Sequence, residues 1–198
     1  MNREEVWGLV TEYTQSQSLL HHMLAVEAAM RAYGRKFGED EDVWGMVGLV
    51  HDFDYERYPS MDPDTPDSEK HCIAGAEILR QRGWPEPYIR AVLSHATYSG
   101  VTPETTLEKT LYAVDELTGL ITAVALVRPS KNIADVTLKS VKNKWKDRAF
   151  AAAVNREEIA HATLALGVDL NEHIQTVLGA MQGIAADLEL DGRLAQQS

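Results

Sequence analysis

The sequence predicts an all-α fold, a helical bundle with additional helices toward the C-terminus. Three observations carry that expectation. Apolar residues recur at helical spacing along nearly the whole chain. Cap residues stand at the starts of these periodic runs, and glycine or proline stands near several of their ends. No alternating strand pattern extends beyond a few residues, and no internal repeat or low-complexity run interrupts the pattern. The chain has 198 residues, of which 44% are hydrophobic and 25% charged. That is enough for one well-buried core, and no linker-like stretch asks for a second, so residues 1–198 read as a single helical domain.

Each element has its own signal. Asn2 with Glu5 forms a capping-box pattern ahead of a short helix through Tyr13. A longer helix covers 18–37, with Leu19, Met23, Val26, Met30 and Tyr33 on one face and Gly38 as its stop. Asp40 caps the next, whose Val43, Val47 and Val50 lead directly into His51. Residues 52–67 hold Pro59, Pro63, Pro66 and several acids, and read as a loop. Helices follow over 68–82, closed by Gly83, and over 85–96. A long apolar helix over 106–127 is ended by Pro129. A basic helix near 137–146, one capped by Asn155 with Glu158, and one over 171–188 complete the series. The tail 191–198 reads as frayed.

Charge and composition narrow the function. A formal net charge of −11 disfavours a nucleic-acid polymer or an anionic membrane as the main partner. A small anionic substrate stays compatible, because a bound metal reverses the local field. The single cysteine, Cys72, precludes an intramolecular disulfide and fits a reducing cytoplasm. The stretch Met1-Asn2-Arg3-Glu4-Glu5 lacks the apolar run of a signal peptide. The longest apolar stretch, around 117–127, contains Thr118 and Thr122 and is too short to span a bilayer. The expectation is a soluble cytoplasmic protein whose oligomeric state the sequence does not specify.

His22, the dipeptide His51-Asp52, His71, His95 and Asp115 are candidate ligands for divalent metals. Each falls on or at the end of a segment that reads as helix, on its apolar side, with Asp52 at the turn beyond His51. A lone histidine on such a stripe is usually a hydrogen-bonded core residue. The conjunction of several changes the balance, because buried ionisable groups are costly and converging on a cation offsets that cost. His21, His161 and His173 lack such support and read as structural or surface residues. Cys72 reads as a packed, inert thiol.

The order His22, His51-Asp52, Asp115 resembles the HD-domain superfamily of metal-dependent phosphohydrolases. The stretches LVHDFDYERYP and HCIAGAEILRQRGWPEPYIRAVLSHA resemble its HDIG-type members. The resemblance covers residues 18–130 and leaves 131–190 as a C-terminal helical extension. It implies that the matching residues bind metal, with His71 and His95 accompanying dinuclear centres. Phe53 and Asp54 stand where the namesake pattern has Ile and Gly. The Gly-Tyr-Pro motif of the cyclic-dinucleotide phosphodiesterase branch is absent, so that branch's substrate is not implied.

The expected cofactor is one or two divalent transition-metal ions: Zn, Mn, Ni, Co or Fe. Two such ions carry more charge than two carboxylates cancel, which suits water activation and an anionic phosphate. Asp52 as ligand and Asp54 as proton acceptor or orienting group are the candidate catalytic residues. Glu56 shares the second role, against the competing reading of Asp54 and Glu56 as solvated loop acids. Arg57, Arg128 and Lys131 are candidate phosphate anchors. Lys139, Lys142, Lys144, Lys146 and Arg148 read as a solvated helix face. The leading function is hydrolysis of a nucleotide or other small phosphoester. A di-iron oxygenase on an HD-type scaffold and a non-catalytic, metal-braced binding module are the alternatives, because histidine and carboxylate suit iron, zinc and manganese alike.

Overall fold

Side-chain caps set most of the helix starts in the computed structural model, which describes residues 2–196. Helix α1 (Arg3–Tyr13) opens on the Asn2–Glu5 capping box. Helix α2 (Gln17–Phe37) starts from Ser16 and stops at Gly38, whose φ of 73° is the left-handed conformation that glycine adopts without strain. Asp40 accepts the Asp42 and Val43 backbone N–H groups to start α3 (Glu41–Val50). After a turn-rich segment come α4 (Ile73–Gln81) and α5 (Glu86–Ser94). Helix α6 (Thr106–Leu126) opens on a second capping box, Thr105 with Glu108. Helices α7 (Leu138–Lys146), α8 (Arg156–Leu166) and α9 (Leu170–Gly183) complete the order. Each cap contributes about 1 kcal/mol. Among the described residues the only β pairing is two isolated bridges, Ser60 with Lys70 and Asn132 with Asp191.

Three expectations are corrected. The helix expected over 68–82 begins only at Ile73, with a short 3₁₀ turn at Asp67–Glu69 before it. The Ser60 carbonyl accepts the His71 N–H at 3.0 Å, and Cys72 takes φ 54°, so the chain up to Cys72 cannot join the helix. The helix expected over 171–188 ends at Gly183. Nor is the described part of the tail loose: the Asp191 carbonyl accepts the Asn132 side-chain amide at 3.2 Å, and the Leu194 carbonyl accepts from Lys131 Nζ at 3.4 Å. Residues 197–198 of the expected frayed tail lie outside the described residues.

Two hydrophobic clusters build the interior. One joins α1, α3, α4 and α5 through Val6, Leu49, Phe53, Leu79 and Ile89. The other joins α2, α6 and the C-terminal helices through Met30, Leu117, Ile121, Ile159 and Val177. Helices α2 and α3 contribute to both and pack closely against each other. Gly48 permits this approach, because a Cβ there would come within 2.8 Å of Met30 Cγ. Glu27, itself buried, clasps Arg3 of α1 at 2.6 Å and Arg31 of its own helix at 3.1 Å. The two clusters meet along α2 and α3, and the end of α3 carries His51. No helix among the described residues is long and apolar enough to cross a membrane.

Candidate metal centre

Five segments of chain deliver one cluster. His22 comes from α2, His51 and Asp52 from the end of α3, His71 from the turn before α4, His95 from the end of α5, and Asp115 from α6. His22 Nε2 lies 2.9 Å from Asp115 Oδ1 and 3.3 Å from His51 Nε2. Asp52 Oδ2 is 3.5 Å from both His22 Nε2 and His51 Nε2. Its other oxygen, Oδ1, is 3.0 Å from His71 Nε2 and 3.2 Å from His95 Nε2. Two overlapping sets have donor atoms all within 4.8 Å of one another: His22, His51 and Asp115, and His51, Asp52 and His95.

The inward face is Nε2 in every ring because Nδ1 is engaged elsewhere. His51 and His95 each cap a helix, and each donates Nδ1–H to the carbonyl three residues back, Gly48 (2.7 Å) and Val92. These are last-turn carbonyls without an i+4 backbone partner, although that of Val92 also accepts the His95 N–H at 3.4 Å. His22 Nδ1 faces the Thr118 hydroxyl at 3.3 Å, and that hydroxyl donates to the Asp115 carbonyl at 2.8 Å. His71 Nδ1 donates to Asp54 Oδ1 at 2.8 Å. Imidazoles held this way present the Nε2 lone pair that a divalent metal accepts, so the donor set fits such a cation.

Electrostatics within the cage are strongly mutual. Burial lowers the His51 imidazole, but Asp52 and Asp115 outweigh it and raise it to about 9. Burial likewise opposes His71, which Asp52 and Asp54 raise to about 10. Burial pushes the Asp52 carboxyl up, yet His51, His71 and His95 hold it well below the usual carboxylate range. Asp115 is depressed in the same way by His22 and His51. Without metal, protons on His51 and His71 offset part of the charge of Asp52 and Asp115.

A cleft of about 310 Å³ opens onto the cluster. Its walls include Met61, Tyr98, Tyr112, Glu116 and Glu158, none of which the sequence reading offered as a site residue. Glu116 follows Asp115 directly and Thr118 lies one helical turn on, so both were visible as neighbours of a candidate ligand. Glu158 arrives from α8, where the sequence marked it only as part of the Asn155 helix start. Burial, helped by Asp115 and Glu158, raises the Glu116 carboxyl.

The expected anchors lie elsewhere. The Arg57 guanidinium sits 4.1 Å from the Tyr13 ring centroid and donates to the Glu12 carbonyl. Arg128 lines a separate surface cleft with Ser130 and Lys144. Lys131 donates to the Leu194 carbonyl at 3.4 Å. The helical rise of ~1.5 Å per residue carries Arg128 ~20 Å past Asp115, which is why following the same helix did not make it a neighbour. Glu56 is also turned away, accepting the Gln15 and Ser16 N–H groups at 2.8 and 2.9 Å. Asp54 is 0% exposed and does not line the cleft, so it is not a proton acceptor there. The Cys72 thiol is buried and is pushed up to about 12 by burial and by Asp54 and Asp52.

An all-helical scaffold that gathers four imidazoles and two carboxylates under a cleft fits the class of helical proteins built around a divalent metal site. More specifically, the HD-domain family model matches residues 19–120, and the chain belongs to that family. The family generally comprises metal-dependent phosphohydrolases. No solved structure matches the chain.

Proposed function

We propose that this chain is a phosphohydrolase that takes two divalent ions and cleaves a nucleotide or other small phosphoester. The observation supporting this reading is the placement of Asp52, with one oxygen toward His22 and His51 and the other toward His71 and His95. A carboxylate so placed can serve two neighbouring ligand groups at once. Bound ions would supply Lewis acidity and positive charge for displacement at phosphorus. The residues of the chain do the positioning: Thr118, Asp54 and the Gly48 and Val92 carbonyls orient the imidazoles, and Tyr98 and Tyr112 wall the cleft. None of the described residues lining the cleft is Lys or Arg, so attraction for an anionic substrate rests on the ions.

The test is a panel of nucleotides and generic phosphoesters offered to Zn-, Mn-, Ni-, Co- and Fe-loaded protein. Turnover by at least one form, absent in Asp52→Ala, is expected; silence across the panel overturns the reading. The acidic lining of Glu116 and Glu158 favours one second reading, a di-iron oxygenase acting on a substrate without an anionic group. Oxygen consumption by the iron form on an organic substrate would establish it. Metal retention with neither activity would leave the braced binding module.

A further inference from the structure

His71 is oriented differently from the other three imidazoles. Their Nδ1 atoms face neutral groups, two helix-end carbonyls and a hydroxyl. His71 precedes α4 instead of ending a helix, so no such carbonyl lies behind it. A buried carboxylate takes that place. Asp54 Oδ1 accepts His71 Nδ1–H at 2.8 Å, and Asp54 Oδ2 accepts the Gly75 N–H at 2.9 Å. The carboxylate fits because Gly75 has no side chain: a Cβ there would lie 2.7 Å from Asp54 Cγ and Oδ2. The turn that presents Asp52 also presents Asp54, and the Asp52 carbonyl accepts the Tyr55 N–H at 3.0 Å while the Asp54 carbonyl accepts the Arg57 N–H at 3.0 Å. One turn thereby supplies a ligand and, two residues on, the group that aims another ligand at it.

We propose that Asp54 is a positioning residue that decides occupancy of the His71–His95–Asp52 side of the cage, with Gly75 as the gap that admits it. This rests on the two-ion reading above. By accepting Nδ1–H, Asp54 aims His71 Nε2 at Asp52 Oδ1, 3.0 Å away, so that a cation held there would meet the Nε2 lone pair. The opposite side, His22, His51 and Asp115, makes no contact with Asp54 and fills independently of it.

Asp54→Asn is the sharpest variant. Its amide oxygen keeps the bond to the Gly75 N–H, while its NH₂ group donates to His71 Nδ1 and drives the ring proton to Nε2. Gly75→Ala is the second variant, displacing the carboxylate without touching its chemistry. Zinc alone is titrated into the full chain by calorimetry, with elemental analysis after dialysis and circular dichroism as the check on folding. Wild type should take two zinc ions. Both variants should keep the first unchanged and bind the second about 10- to 100-fold more weakly, the usual effect of removing an outer partner of a ligating histidine. At a zinc concentration that fills the second position in wild type but not in Asp54→Asn, the ¹⁵N resonances of His71 should report Nδ1–H in wild type and Nε2–H in the variant, a readout that general loosening would not produce. Folded variants holding two zinc ions at wild-type affinity, or losing both equally, overturn the proposal. A wild type that takes only one overturns the two-ion reading, and this proposal with it.

Discussion

His51 and His173 are both 0% exposed, yet their chemistry is opposite. His51 faces Asp52 and Asp115 and is raised to about 9. His173, where α9 meets α2 and α6, makes its hydrogen bonds to neutral groups. Its Nε2–H donates to the Ala113 carbonyl at 2.9 Å, and its Nδ1 accepts from the Tyr33 hydroxyl at 2.5 Å. Burial, against that carbonyl bond and with Lys36 nearby, lowers it to about 4. Burial of an imidazole is therefore no mark of a metal site. Carboxylate company is the mark, because it creates a local excess of negative charge that protons or metals must neutralise.

The largest effect should come from breaking the cage at its shared point. Asp52→Ala should reduce bound zinc and turnover to the metal-free baseline while circular dichroism stays helical. Proton competition comes next. With His51 and His71 raised to about 9 and about 10, both rings carry protons at neutral pH in the metal-free chain, and ions must expel them. Zinc affinity, measured by chelator competition, should rise about tenfold per pH unit for each proton displaced, up to about pH 9. His173 should behave in the opposite sense. Its folded value of about 4 lies below the ordinary 6.5, so the unfolded chain binds the extra proton between them. That contribution is complete above pH 6.5 and fades as pH falls toward 4, by about 3 kcal/mol in all. His173→Phe should remove this pH slope in denaturant titrations, cost about 1–3 kcal/mol through the unpaired Tyr33 and Ala113 groups, and leave zinc stoichiometry intact. A smaller change tests the cleft wall: Glu158→Gln should lower KM for a phosphoester about three- to tenfold by removing a like charge. Smallest of all, Arg128→Ala should leave kcat/KM within about twofold, as expected of a distant surface residue.

Much of this contrast was legible in the residues. Local chemistry gave the helix starts at Asn2, Asp40 and Asn155, and spacing put His22, His51, His95 and Asp115 on inward faces. His71 was expected on a helix, but it precedes α4, because a backbone bond to Ser60 ties it to the loop across eleven residues of sequence. Residue pattern does not encode such a bridge. The same holds for Arg57 and Glu56, whose partners, the Glu12 carbonyl and the Gln15 and Ser16 N–H groups, lie at the end of α1 and the start of α2. Gly75 did leave a trace, a residue without a side chain one turn after a candidate ligand, but its meaning depends on Asp54 lying against it.

The two histidines that cap α3 and α5 imply an order of events. Each of those helices directs its carbonyl end, worth roughly half a negative charge, toward the cage. Asp52, Asp115, Glu116 and Glu158 add to the same field, and the described cleft lining offers no lysine or arginine. A phosphate arriving before the ions meets net repulsion, and one arriving after them meets attraction. Under the proposed function, metal should therefore bind first and substrate second, and equilibrium dialysis of inorganic phosphate should detect binding only once zinc is present.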